Sequence, residues 1–131
     1  MVLAMPEGFD RIKSAHSVDE TIRRVHSLLA EKGIKLFTLI DHGGEAKVAG
    51  LELRPTKLLI FGNPKSGTSL MQAEQTAGID LPLKALVWQD EQGDVWVGWN
   101  TIEYVIERHR IAAESAVAMG GFVQLLRKAA Q

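Results

Sequence analysis

Residues 58–69 read LLIFGNPKSGTS, an apolar run that breaks into two glycines with four residues between them. Gly62-x-x-x-x-Gly67 is the spacing of a phosphate-cradling Walker A loop, and it falls between a strand pattern and a helix pattern, as that motif requires. The chemistry then needs a lysine whose ammonium neutralises the β- and γ-phosphates, and the residue in that place is Thr68. Lys65 sits inside the loop instead, beside Pro64, which has no N–H to offer an anion. Nucleotide hydrolysis is therefore rejected. Asn63 suits an N-cap and Pro64 a first helical position, where its missing N–H would be unpaired in any case. A reduced function remains open: helix N-terminal amides together with Lys65 could hold a small anion, phosphate or carboxylate.

The histidines, at 16, 26, 42 and 109, show no i,i+4 pair, so no helical metal site is expected. His26 lies beside an apolar helical stripe and reads as structural. Asp41-His42 offers a carboxylate and an imidazole for acid–base work, but adjacent residues on an extended chain point to opposite faces, which favours a capping or turn role. His109 falls at a helix C-terminus, where the dipole favours its charged form. Ser66 and Ser69 have no base evident in the sequence.

The rest of the chain bounds these options. Its 131 residues, 46% hydrophobic and 24% charged, fit one domain spanning 1–131. Fifteen basic and sixteen acidic residues give a net charge of −1 with no basic cluster, so no nucleic-acid partner is expected. The lack of cysteine excludes disulfides and thiolate metal sites. MVLAMPEGFD lacks a basic n-region, and the uncharged stretch Ser115–Leu126, twelve residues, is too short to span a bilayer. A cytoplasmic protein with no membrane partner and no cofactor is the expectation.

The elements that must position the loop are legible in part. Phe9–His16 reads as a short strand. Ser17 with Glu20 makes a capping box ahead of Val18, Ile22, Val25 and Leu29, with Gly33 as the stop; a helix is expected over 17–32, with Glu20 and Arg24 as an i,i+4 pair. IKLFTLID (34–41) is expected as a well-covered strand, with a short helix near 45–49. Lys57–Gly62 is a strand leading into the loop, and 70–77 a helix ended by Gly78. Segments 83–89 and 95–100 form a hairpin turning through Asp90–Gly93. Asn100 with Glu103 reads as a capping box for a helix over 101–109. The tail, 112–129, is a helix with Met119, Phe122 and Leu126 inward, in which Gly120-Gly121 needs either a close-packing reason or a bend. This order predicts an α+β fold: one two-layer domain, a largely antiparallel sheet with helices on one face. On the hairpin, Trp96 shares a face with Gly98 and Asn100, and Trp99 the other face with Val95 and Val97. One face is left for solvent, a ligand or another subunit.

The run LLIFGNPKSGTSLM, then GIDLPLKALVWQDEQGDVWVGWN and a late ERH, resembles the bacterial and archaeal domain-of-unknown-function family 302, from about Ile12 to His109. Asp41-His42, Arg54-Pro55 and Trp99-Asn100 also match, with Trp99 where an aromatic, often tyrosine, is usual. The resemblance implies a β-α-β(4)-α type fold, commonly a homodimer, and no established reaction. The resulting expectation is a homodimeric binding module for a small ligand that could be anionic. The pocket edge is assigned to the 61–68 loop with Arg54, Gly62, Asn63, Lys65, Gly67, Thr68, Asn100 and His109. The rival is an enzyme using His42 or His109 as acid–base, with Lys65 or Arg54 holding an anionic substrate. A purely structural or assembly role is the third option.

Overall fold

The computed structural model describes residues 5–131. Five strands form one sheet: β1 (Phe9–Ser14), β2 (Lys35–Asp41), β3 (Thr56–Gly62), β4 (Leu83–Gln89) and β5 (Val95–Asn100). They lie in the order β1-β5-β4-β3-β2, with every neighbouring pair antiparallel. The helices are α1 (Val18–Glu31), α2 (His42–Val48), α3 (Pro64–Ala73), α4 (Ile102–Arg108) and α5 (Phe122–Ala130), with 3₁₀ segments at Gln75–Asp80 and Ala113–Met119. The expected α+β class and single largely antiparallel sheet are what the chain adopts.

Register decides which side chains face the helices. Val97 pairs with both Ile12 and Val87, and Ala85 with both Trp99 and Leu59. Leu59, Phe61, Ala85, Val87, Val97 and Trp99 therefore share one face, and all are buried with Val18, Val25 and Leu29 of α1 and Phe122 and Leu126 of α5. Each such aliphatic or aromatic side chain contributes about 1.5–3 kcal/mol on burial. The opposite face carries the other members of the same alternation. Trp88 pairs with Trp96, Leu86 with Leu58 and Gly98, and Ile60 with Lys84. The side chains of Trp88, Trp96, Leu86, Leu58 and Ile60 are only half-buried.

Helix α1 forms as its sequence asks. Ser17 accepts from the Glu20 amide, Gly33 takes the left-handed conformation at φ +67°, and the apolar stripe is turned inward. Ser14 and Thr21 share a buried 2.6 Å hydrogen bond that ties β1 to α1. The ion pair differs from the expected one. Glu20 engages Arg23, while Arg24 donates to the Ala129 carbonyl at 2.8 Å and so ties α1 to the end of α5. His26, expected to be structural, is exposed.

Other boundaries move for physical reasons. The first strand ends at Ser14, two residues early, because the chain must turn into the Ser17 cap. Strand β2 is a sheet edge rather than a covered strand, and its irregular register at Leu36/Thr38 leaves Phe37 and Leu39 about two-fifths exposed. Asp41 accepts from the Gly44 amide and opens α2 earlier than expected, which assigns Asp41-His42 the capping role. Asn63 caps α3 and Pro64 opens it, as their types suggested, so the helix expected over 70–77 begins six residues ahead of that range, and the chain continues as the 3₁₀ segment through Gly78 rather than stopping there. Thr101, not Asn100, caps α4, because Asn100 is held in the ladder opposite Phe9. The tail is two segments rather than one helix, broken at Gly120-Gly121.

Strands β3 and β5 run in the same direction, since both oppose β4, and so deliver α3 and α4 to the same end of the sheet. There Leu70, Ala77, Ile111, Ala116 and Met119 form a second, smaller buried cluster. The loop singled out by its glycines lies at this end.

Candidate functional site

At the end of β3 the chain turns through Gly62 and Asn63 into α3. Asn63 Oδ1 accepts the Lys65 amide at 2.9 Å, with Pro64 in the first turn. The Gly67 amide returns to the Asn63 carbonyl at 3.0 Å. Of the first-turn donors that a phosphate nest would use, Pro64 has none and two are consumed, which leaves the Ser66 amide. Lys65 is exposed. The local geometry is that of a self-capped helix start, and it offers an anion far less than the glycine spacing suggests.

The same turn instead forms one wall of an apolar cavity of about 280 Å³. Gly62, Asn63, Pro64, Gly67 and Thr68 meet Leu81, Pro82 and Leu83 across it, and Phe37, Met71 and Met119 complete the lining. A second cavity of about 200 Å³ lies on the other side of Gly62, Asn63, Leu83 and Met119, bounded by Phe61, Phe122 and Ile34. Four of the expected site residues, Gly62, Asn63, Gly67 and Thr68, are thus brought to one place.

The other expected residues are not. Arg54 precedes β3 and lies beside Leu53 and Lys47 at the far end of that strand, roughly 26 Å of extended chain from Gly62. Asn100 is exposed at the end of β5 and does not line the cavity. His42 is exposed in the first turn of α2. His109 is held between Asp80, 2.5 Å from Nε2, and Thr76, 3.0 Å from Nδ1, while Arg108 reaches both Asp80 oxygens at 3.0 Å. Its imidazole is 7% exposed and both ring nitrogens are occupied within the chain. Among the described residues, no group of three or more His, Asp or Glu is placed to hold a metal ion.

Some contributors carry no local signal. Phe37, Met71 and Met119 read as ordinary core or strand residues, and only the fold brings them to the loop. Lys84 is another. Burial pushes its ammonium below the usual lysine range, Asp80 pulls the other way, and Nζ donates to the Pro82 carbonyl at 3.0 Å. Its one sequence cue is a lysine on the same strand face as Leu86 and Trp88.

Leu81-Pro82-Leu83 and Gly62-Asn63-Pro64, distant in sequence, meet at this cavity, and a family model that spans both runs matches residues 11–128. The chain belongs to the family described as Domain of unknown function DUF302. The crystal structure of an uncharacterized conserved DUF302 protein from Bacillus stearothermophilus is similar to it, with a TM-score of 0.79 and 18% identity over 95% of this chain and 97% of that one. At that identity the likeness shows the shared DUF302 fold. Two curated relatives are 45% identical over 123 residues, 94% of this chain. They are the fluoride-specific ion channel FluC 1 of Brucella suis biovar 1 (strain 1330) and FluC 1 of Brucella abortus biovar 1 (strain 9-941). The DUF302 chain spans about half of their length, 48% and 46%. No helix among its described residues is long and apolar enough to cross a membrane.

Proposed function

We propose that this DUF302 domain is a cytoplasmic homodimeric binding module that takes a small, mainly apolar ligand at the Gly62–Thr68 turn. One observation carries this: the two sequence runs most characteristic of the chain, at 61–64 and 81–83, converge on one apolar cavity. The sequence left an anionic ligand open. The self-capped start of α3 and the exposed position of Lys65 favour an apolar one, with polar recognition confined to the Thr68 and Asn63 rim. Neither His42 nor His109 lines the cavity, so binding rather than turnover is the better reading. The test uses Gly67, which lines the cavity and where an added Cβ would meet nothing within 4 Å. Gly67→Leu fills this space while favouring the helix by up to about 1 kcal/mol. Toluene should raise the melting temperature of the wild type by mass action and leave Gly67→Leu unmoved. A shift produced by phosphate or acetate but not by toluene would reverse the ligand class.

A second reading is favoured by lengths. The relatives named as fluoride channels are about twice as long as the segment they share with this chain. A membrane-crossing part would then lie in their other half. On that reading the domain is an accessory module that associates with a membrane channel of that kind. Coexpression with the unmatched half of such a relative tests this, and failure of the two to copurify in detergent would remove it.

A further inference from the structure

We propose that residues 112–119 are a gate hinged at Gly120-Gly121, and that moving Met119 outward joins the two cavities into one groove for an elongated, mainly apolar molecule with one polar end. The inference rests on the binding reading above and specifies its ligand. The cavities of about 280 and 200 Å³ each fall below the roughly 300 Å³ at which small-molecule pockets begin; joined, they enter that range. Four residues line both: Gly62, Asn63, Leu83 and Met119. Three of these are fixed. Gly62 and Leu83 belong to paired strands, and Asn63 is held by its bond to the Lys65 amide. Met119 alone is carried on a 3₁₀ segment, and its unbranched side chain adapts readily to irregular space.

The segment is built to move. A seven-residue 3₁₀ run is longer than that geometry usually sustains, and Ala112 gives it no side-chain cap. Only Ala116 and Met119 within it are buried, and Val117 is 77% exposed. Its two ends are anchored. Ile111 is buried and its amide bonds to the Ile106 carbonyl at 2.8 Å; on the other side Phe122 and Leu126 are in the main core. Close packing does not require glycine at Gly120, while Gly121 also lines the second cavity. Gly120 and Gly121 sit at φ −73° and −70°, right-handed values open to any residue. A Cβ on Gly121 would meet nothing within 4 Å, and on Gly120 only the Val117 carbonyl at 3.8 Å. What two adjacent glycines supply here is backbone freedom, at a cost of about 1 kcal/mol each relative to alanine.

The walls fix the ligand class. Phe37, Met71 and Leu81 make the first lobe apolar, whereas in the second Asn63 and Ser66 stand beside Ile34, Phe61 and Phe122 and give it a mixed surface. An elongated aryl molecule with a hydrogen-bonding group at the second lobe fits that path, whereas a single apolar ring fits the first lobe.

The experiment compares toluene with N-phenyl-1-naphthylamine, followed by thermal shift and stopped-flow fluorescence, on the wild type, Gly120→Ala, which stiffens the hinge without touching either cavity, and Met119→Ala. Both probes should bind the wild type. Gly120→Ala should take up the naphthylamine several-fold more slowly and bind toluene unchanged. Met119→Ala should bind the naphthylamine more tightly; because that variant opens a void, the alanine hinge variant carries the test if it does not fold. Toluene binding without naphthylamine binding, or equal naphthylamine rates in wild type and hinge variant, would overturn the gate and leave the pocket standing. Binding of neither probe would overturn both.

Discussion

Asp80 lies 2.5 Å from Nε2 of His109 although 29 residues separate them, and it closes the 3₁₀ segment 75–80 against the end of α4. A carboxylate only accepts, so Nε2 donates to it, and Thr76 occupies the other nitrogen. The imidazole is a clasp between two segments that flank the smaller core. His109→Ala should therefore destabilise the fold by about 1–3 kcal/mol, as a hydrogen bond to a charged partner is lost and Asp80 is left with Arg108 alone. Urea denaturation measures this. An unchanged midpoint would mean that the clasp contributes nothing, and His109 would return as a candidate for chemistry.

The Asn63 cap sets the start of α3 and the wall of the cavity together. Asn63→Ala removes the acceptor of the Lys65 amide and should cost about 0.5–2 kcal/mol. Because that residue also lines the cavity, toluene affinity should fall with it. Lys65→Ala should do neither, since its ammonium is exposed, and the wild type should show no ATP hydrolysis. ATP turnover abolished by Lys65→Ala would restore the Walker reading.

Much of this architecture was legible because it rests on local chemistry. The Ser17 cap, the stripe Val18-Val25-Leu29, the Asp90–Gly93 turn and the alternation of the tryptophan hairpin are each decided by a few neighbouring residues. The cavity was legible only at the loop. Gly62, Asn63, Gly67 and Thr68 could be placed together because glycine, proline and a capping residue mark a turn. Arg54 was grouped with the loop although the strand Thr56–Gly62 holds the two apart, because no local pattern shows at which end of a strand a cavity forms. Asp80 and Met119 were missed because their partners come from other elements. Strand β2 looked buried by composition, and only sheet order reveals an edge.

The hairpin should respond to acid in a defined direction. The hydrogen bond from Trp96 Nε1, at 2.8 Å, holds the Asp90 carboxyl below the usual carboxylate range; the Asp94 and Gln92 amides and nearby Arg11 act the same way. A depressed folded-state value contributes stability that is fully present above the unfolded value, near pH 4, and is lost as pH falls through the lower folded value. Trp96 fluorescence should accordingly change below about pH 4, and Asp90→Asn should flatten that change. An identical acid profile in the variant would show that other carboxylates control the hairpin.

The sheet face turned away from α1 and α5 should be the dimer contact. Trp99 is 2% exposed within its own chain and is excluded from that role. Trp88 and Trp96 lie directly opposite each other on the outer face. Phe9 lies 6.1 Å from Trp88 between ring centroids, and the Arg11 guanidinium sits 3.8 Å over Trp96. Phe9 also covers Gly98 so closely that a Cβ there would overlap its ring. Aromatic rings and arginine are the groups that anchor protein interfaces, and a two-fold pairing would bury them against their own copies. A net charge of −1 does not oppose such pairing. Sedimentation at micromolar concentration should give roughly twice the chain mass. Leu58→Lys puts a charge on the same face at a half-buried position opposite Leu86, and should give a folded monomer with an unchanged circular-dichroism spectrum. A wild-type monomer, or a Leu58→Lys dimer as tight as the wild type, would place the contact elsewhere, and the exposed edge of β2 with Phe37 and Leu39 would be the next surface to probe.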